Sequence, residues 1–359
     1  MGNSIENLDN NINEEKYIEL VNNIEKLVND ARNSVSYTIN NTMIETYWSI
    51  GKHIIEFEQQ GNIKAEYGKQ LLLKISKDLK LRLGRGFSRS NIYNMRKIYE
   101  CFPIFQKISG KLNWSQLCEV STIDDELERN FYLSEASKEK WNYETLKRQM
   151  DTGLYLKLAL SKNKDEILAL AEKGQEISDP KDVIKNIYTL DFLNLPDKES
   201  YSESQLEEKI IEKLEEFLLE LGKGFTFVKR QYPMQIGNKF YHADIVFYHR
   251  ILKCFVIIDL KIRKIQHEDI GQMNMYMGYF AAEENEENDN PPIGIILTKR
   301  NDELVVEYAT YGADTNLFVS KYELYLPNKE ELKKLVDKIV EEDENEHFEK
   351  MKRNKQDID

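Results

Sequence analysis

Two carboxylates and a lysine sit in the most apolar part of this sequence. Phe240 to Tyr276 reads FYHADIVFYHRILKCFVIIDLKIRKIQHEDIGQMNMY. Two β-rich runs, Tyr241–Tyr248 and Cys254–Leu260, are joined by the short link His249–Lys253, a pattern that predicts a hairpin. The second run is apolar on both faces, as a central strand would be. It ends in Asp259-Leu260-Lys261, and the two-residue period of a strand puts Asp259 and Lys261 on one face with Leu260 opposite. Asp244 lies inside the first run. Charges in a sheet interior are costly unless they meet each other or a ligand. Two readings stay open at this point. One is an ion pair at a strand end, needing no metal. The other is a hard-oxygen site for Mg²⁺, or Mn²⁺, built on Asp244 and Asp259. There the metal would generate hydroxide and neutralise developing charge, while Lys261 orients the water or stabilises a phosphorane; that chemistry is phosphodiester hydrolysis.

The flanking elements must hold these groups. Ser202–Leu221 predicts a helix with the apolar stripe Leu206, Ile210, Leu214, Phe217 and Leu221, stopped by Gly222 and Gly224. Thr226–Ile236 reads as a strand, and Gly237-Asn238 turns the chain back toward the hairpin. After Lys261, a helix over about 268–282 carries the core stripe Ile270, Met273, Met277 and Phe280. Gln272 and Tyr276, four apart, share a face beside that stripe. They are either ordinary half-buried polar residues or groups that look into the acidic site. Pro292–Thr298 is a further apolar strand, Glu303–Tyr308 and Lys321–Leu326 are strand candidates, and a last helix starts near Asn328.

Asp244, then Asp259-Leu260-Lys261, then Gln272 with Tyr276, resembles the PD-(D/E)xK nuclease core with its helix-borne Q-x-x-x-Y extension. The words ADIVFYHRILKCFVIIDLK, EDIGQMNMY and PPIGIIL, with SESQLEEKIIEKLEEFLLELGKGF before them and SKYELYLP after, resemble the bacterial YhcG-type family. The likeness is close over about 200–330 and looser through YWSIGKHI and LNWSQL in the N-terminal half. It implies an α+β chain: an all-α N-terminal domain, then an α/β restriction-endonuclease-like domain. It also implies a Mg²⁺-dependent endonuclease, with Glu207, Asp244, Asp259, Lys261, Gln272 and Tyr276 in the site and a setting in bacterial defence or DNA processing. Glu207 enters because such nucleases often recruit a glutamate from the helix before the sheet. Glu207 flanks the apolar stripe, whereas Glu208 lines up with Glu212 and Glu215 on a solvated row.

The 359 residues suggest two domains. The expected division is a mobile tail over 1–15, a helical domain over 16–180, a linker over 181–200, the sheet domain over 201–340 and a charged tail over 341–359. The net charge of −13 argues against a uniformly basic surface. Residues 61–100 are the contrast: ten Lys or Arg against three acids. They read as helix, LGRGF turn and helix, which suits either a helix-turn-helix on DNA or a solvated bundle face. Outward candidates for nucleic-acid contact are Arg85, Arg89, Tyr93, Arg96 and Lys97, with Arg263 and Lys264 near the acids. Arg129, Tyr132, Lys147 and Arg148 are read as a solvated face that could extend the basic surface. Upstream, the apolar period of Tyr17, Leu20, Val21, Ile24, Leu27 and Val28 predicts one helix, and Ser34–Phe57 a second. Cys101, Cys118 and Cys254 are read as reduced core thiols. With no signal peptide and no membrane-length apolar run, the expectation is a soluble cytoplasmic protein whose partner is nucleic acid, DNA first. Sequence leaves open a homo-oligomer, and the alternative of an inactive nucleic-acid-binding or assembly subunit.

Overall fold

The computed structural model describes residues 14–59, 68–195, 201–300 and 316–339. The chain divides into two compact units: Met1–Arg129 with Ala136–Tyr143, and Asn130–Glu135 with Glu144–Asp359.

The first unit is helical. It contains α1 (Glu14–Phe57), α2 (Gly68–Leu83), α3 (Arg89–Cys101) and α4 (Trp114–Val120), with α5 (Glu126–Lys138) at its boundary. α1 is one helix where two were expected. The polar stretch 29–33 holds no Gly or Pro to break it. Further on, the hydroxyls of Thr38, Thr42 and Thr46 each donate to the carbonyl four residues earlier. The expected stripe Tyr17, Leu20, Val21, Ile24, Leu27 and Val28 is exposed. The core lies further along, where Ile54, Leu72, Ile92 and Met95 pack with Ile50, Ile75, Leu79 and Trp114. Gly51 lets α1 and α3 touch at the backbone: a Cβ there would lie 2.0 Å from the Met95 carbonyl oxygen. α3 starts at Ser88, whose hydroxyl accepts from the Asn91 N–H at 3.2 Å. Gly84 and Gly86, at φ +83 and +103, make the preceding turn. Arg129 is nearly buried, donating to the Ile123 and Asp124 carbonyls at 2.9 and 3.1 Å; it is not part of a solvated face.

The second unit is a six-stranded mixed sheet between helices. Its helices before the sheet are α6 (Tyr143–Asp151), α7 (Leu154–Ala159) and α8 (Lys164–Lys173). Then come β1 (Ile187–Thr189), α9 (Glu203–Glu212), α10 (Leu214–Leu221), β2 (Phe225–Ile236), β3 (Lys239–His249) and β4 (Cys254–Lys264). α11 (His267–Tyr279), β5 (Ile293–Arg300), β6 (Leu317–Glu323) and α12 (329–339) complete it. The sheet order is β1-β6-β5-β4-β3-β2. β2, β3 and β4 form an antiparallel meander, and β5, β6 and β1 add in parallel.

Both faces of the sheet are covered, which explains why β4 and β5 are apolar on both sides. One face carries Ile245, Phe247, Val256, Ile258 and Leu260 against Leu206, Ile210, Phe217 and Leu221 of α9 and α10. The other carries Val246, Ile257 and Ile296 against Ile270, Met273 and Tyr276 of α11. The helix expected over 202–221 is broken at Lys213, φ −118 and ψ 38. β6 begins at Leu317, upstream of the expected Lys321. The stretch read as a linker holds the edge strand β1, and the candidate strand 303–308 lies outside the described residues.

A buried charge cluster fastens α7 to this sheet. Lys157 Nζ is 2.6 Å from Glu220 Oε1, and the Thr189 N–H donates to the same oxygen at 2.8 Å. Lys185 Nζ donates to the Glu220 carbonyl. Nearby, Arg148 forms a two-pronged pair with Asp191, and Tyr132 is fully buried, its hydroxyl 3.1 Å from the Gln149 carbonyl. Neither residue supplies free basic surface. No described helix is long and apolar enough to cross a membrane.

Candidate active site

The β3–β4 hairpin sets the carboxylates. Ile245 pairs with Ile258, and continuing that register by one residue brings Asp244 level with Asp259. Asp244 Oδ2 accepts the Leu260 N–H at 2.9 Å, so this carboxylate caps the ladder where the side-chain pair begins. On the same row of β4, Lys261 Nζ lies 2.5 Å from Asp259 Oδ2. Both side chains are almost withdrawn from solvent.

That burial shapes the electrostatics. Desolvation, then the neighbouring Asp244, pushes the Asp259 carboxyl up to about 7, although Lys261 pulls the other way. For Lys261, burial opposes the charge, but Asp259 beside it outweighs burial and raises the ammonium above its usual value.

α9 brings two more acids. Glu207 is buried and faces the sheet, whereas Glu208 is exposed, so the helix has the expected phase. Glu207 Oε1 accepts from Arg230 Nε at 2.6 Å, and its Oε2 accepts from Gln231 Nε2 at 2.7 Å. The same Gln231 amide reaches Asp244 Oδ1 at 3.2 Å. Glu203, one turn earlier, accepts the Ile262 N–H at 3.3 Å and sits 4.0 Å from Lys261 Nζ. Glu203, Arg230 and Gln231 were not foreseen. Arg230 and Gln231 lie in an edge strand whose register shifts between Phe227 and Lys229, and such irregularity leaves no mark in the hydrophobic pattern.

Gln272 and Tyr276 do share a face of α11. The Gln272 amide donates to the Tyr276 hydroxyl, which donates to the His242 carbonyl at 3.2 Å. The pair is thereby fastened to the backbone of β3 two residues before Asp244. Burial first, with Asp259 and Asp244 adding to it, raises the Tyr276 phenol.

The basic candidates divide. Arg263 grips Asp269 with both guanidinium nitrogens, at 2.7 Å each, and pins the start of α11. Arg96 binds Glu58 at 2.9 Å and Glu100 at 3.2 Å, and Lys97 lies 3.4 Å from Asp124. Arg85, Arg89 and Tyr93 are exposed, as is Lys264. The structure therefore leaves Arg85 and Arg89 better placed than Arg96 or Lys97 to meet an external anion.

Among the described residues, no three His, Cys, Asp or Glu side chains are gathered as a ready metal cage. The donor chemistry nonetheless fits a hard divalent ion. Asp244 and Asp259 are adjacent carboxylates, one buried enough for its ionisation to be opposed, and a cation supplies the missing charge. The three cysteines are free, and Cys254 is buried.

Comparison with known proteins matches two stretches of the chain, with bounds that differ from those of the two compact units. Residues 181–338 match the YhcG PDDEXK nuclease domain, and residues 23–157 match the DUF1016 N-terminal domain. The chain is 34% identical over 356 residues to the Escherichia coli (strain K12) protein named "Putative nuclease YhcG", covering 90% of this chain and 94% of that one. A crystal structure of a repair endonuclease from Pyrococcus abyssi aligns with 36% of this chain and 50% of its own, at 19% identity and a TM-score of 0.27, too slight a likeness to carry fold or function. With a DUF1016 N-terminal domain, a PDDEXK nuclease domain and a full-length relative at this identity, the chain belongs to the YhcG family.

Proposed function

We propose that this chain is a divalent-metal-dependent endonuclease that cleaves phosphodiester bonds of DNA, with a setting in bacterial defence or DNA processing. The observation that carries the reading is the meeting of Asp244, Asp259 and Lys261 on the β3–β4 hairpin, with Glu207 turned toward them from α9. In this reading Asp244 and Asp259 hold Mg²⁺ or Mn²⁺, which when bound lowers the pKa of a water and offsets charge on the phosphate.

The chain's own groups do the rest. Lys261 Nζ has three protons, of which one is directed at Asp259 Oδ2. The others are available to donate to an attacking water or to a phosphoryl oxygen as its charge grows. Glu207 adds a carboxylate whose position is set by Arg230 and Gln231. Gln272 and Tyr276 support β3 through the His242 carbonyl. Arg85, Arg89 and Tyr93 on the helical unit are the groups offered to the backbone of the nucleic acid, with exposed Lys264 a further candidate on the sheet unit; Arg263, Arg96 and Lys97 are engaged with acids. Phosphate contacts of this kind position a duplex without reading its sequence.

A cleavage screen tests this: duplex, branched and single-stranded DNA and RNA, each with Mg²⁺, Mn²⁺ or EDTA, for the wild type and Asp259→Ala. Metal-dependent cleavage of at least one DNA form, lost in the variant, is the expected result. Equal cleavage by the variant would move the site away from Asp259, and binding without metal-dependent cleavage of any form would favour the inactive binding subunit.

A further inference from the structure

Gln231 has the wrong backbone for its place. It sits inside β2, yet its φ is +48. The other described non-glycine residues with positive φ, Lys140, Asn194 and Lys253, all lie in connections between elements. A left-handed conformation is strained for a residue of this type, so it persists only where the surroundings impose it.

The surroundings here are the acids. Arg230 pairs with Ile245 and Tyr232 with Ala243, so Gln231 stands opposite Asp244, which itself stands level with Asp259. One row across three adjacent strands thus reads Gln231, Asp244, Asp259. The Gln231 amide donates to Glu207 Oε2 at 2.7 Å and to Asp244 Oδ1 at 3.2 Å. Asp244 Oδ2 is taken by the Leu260 N–H. Each Asp244 oxygen accepts one hydrogen bond, but the Leu260 N–H is fixed in the ladder, whereas the Gln231 amide is a side chain that can move and its contact to Oδ1 is the longer of its two.

We propose that Gln231 is a positioning residue for the metal site. Its amide bridges Glu207 and Asp244, and it would give up Asp244 Oδ1 to a divalent cation bound there while keeping Glu207. This rests on the metal-dependent reading given above. The physical logic is one of graded strength. An amide N–H brings partial positive charge between two carboxylates without a net charge. It therefore holds a repelling pair in place, and yields to a full charge more readily than an ammonium or guanidinium would.

The test is Mn²⁺ binding to the full-length chain, by calorimetry and by loss of the free-ion EPR signal, with thermal melts in EDTA alongside. Gln231→Ala removes the competitor and should bind Mn²⁺ more tightly, by up to about tenfold, the worth of one hydrogen bond to a charged acceptor. The same variant should melt lower than wild type without metal. Gln231→Gly loses the amide but accepts the left-handed backbone, so it should show the same tightening with a higher metal-free melting point than Gln231→Ala. It carries the test alone if the alanine variant fails to fold. Gln231→Glu should melt lowest without metal and gain most from it. Wild-type affinity or weaker binding in the alanine and glycine variants would overturn the inference while leaving the metal site standing. Absence of saturable Mn²⁺ binding to the wild type, or binding that survives Asp259→Asn, would instead overturn the metal reading beneath it.

Discussion

Lys261 Nζ lies 2.5 Å from Asp259 Oδ2, and neither side chain has much access to water. The pair is poorly balanced, because Asp244 adds a second negative group to the same corner. Asp259→Asn should therefore abolish turnover, by at least about a hundredfold, by removing a charged metal ligand. Without metal its melting point should stay near the wild-type value, since relief of the crowded Asp244–Asp259 pair offsets the contact that Lys261 loses. Lys261→Ala should cut turnover with less effect on Mn²⁺ affinity. Full activity in the Asp259 variant would sink the assignment of this corner as the site.

Glu207 and Glu208 give a matched pair. Glu207→Gln should lower metal-dependent cleavage strongly, with a stability loss on the order of 1–3 kcal/mol from the weakened contact to Arg230. Glu208→Gln, on an exposed position, should leave cleavage and melting within error. The comparison is read from cleavage assays and denaturant melts run side by side, and an inactive Glu208 variant would contradict the observed phase of α9.

For the helical unit, the ion pairs separate two sets of cations. Replacing Arg85 and Arg89 with Gln should weaken DNA binding across sequences and flatten its salt dependence. The slope should fall by about 0.9 log unit per lost duplex contact. Replacing Arg96 and Lys97 should change the slope much less, because both already face acids. Fluorescence anisotropy over a salt series distinguishes the two, and an unchanged slope in the first pair would return this face to ordinary solvated surface.

Gly51→Ala should destabilise the helical unit by roughly 1–3 kcal/mol or more, because the added methyl meets the Met95 carbonyl, which cannot move without shifting α3. The measurement is the melting point of the whole chain, with α-helical circular dichroism as the readout.

A pH effect is expected from Lys185. Burial first, with Lys157 adding to it and Glu220 opposing, lowers its ammonium to about 8 from the ordinary 10.5. Between these values the unfolded chain holds more protons than the folded one, so stability should rise as pH increases from about 8 toward 10.5. Lys185→Met should remove that rise. Denaturant melts at pH 7.5 and 9.5 for both proteins check it; parallel pH dependences would show that Lys185 is not the source.

Much of the site was readable because it follows the strand period. Asp259 and Lys261 share a face for that reason alone, and the apolar run of β4 announced a strand covered on both sides. The phase of α9 was legible from its stripe, although its break at Lys213 was not, since Leu214 continues the apolar spacing. Gln231 escaped because nothing in RQYP signals a left-handed residue in mid-strand. The commitments of Arg96, Lys97 and Arg263 were equally hidden. Charge type is visible in a sequence, but the acid each cation meets comes from another element, as Glu58 does for Arg96 and Asp124 for Lys97. β1 was missed because three residues give no period, and its partner β6 lies more than a hundred residues away in the chain.

The Lys157–Glu220 contact bears on where this protein can be cut. The matched nuclease domain begins at 181, but Lys157 lies upstream of that point and Glu220 within it. A fragment starting at 181 would strip Glu220 of its Lys157 partner while leaving its carboxylate buried against the edge strand. It would also remove Gln149, whose amide donates to the Leu219 carbonyl at 3.1 Å. Such a fragment would open first at β1, exposing the parallel edge of β6 to other chains. An expression boundary placed before Asn130 keeps both contacts, and with them the segment Asn130–Glu135 that belongs to the sheet unit, and is the better starting point for isolating it.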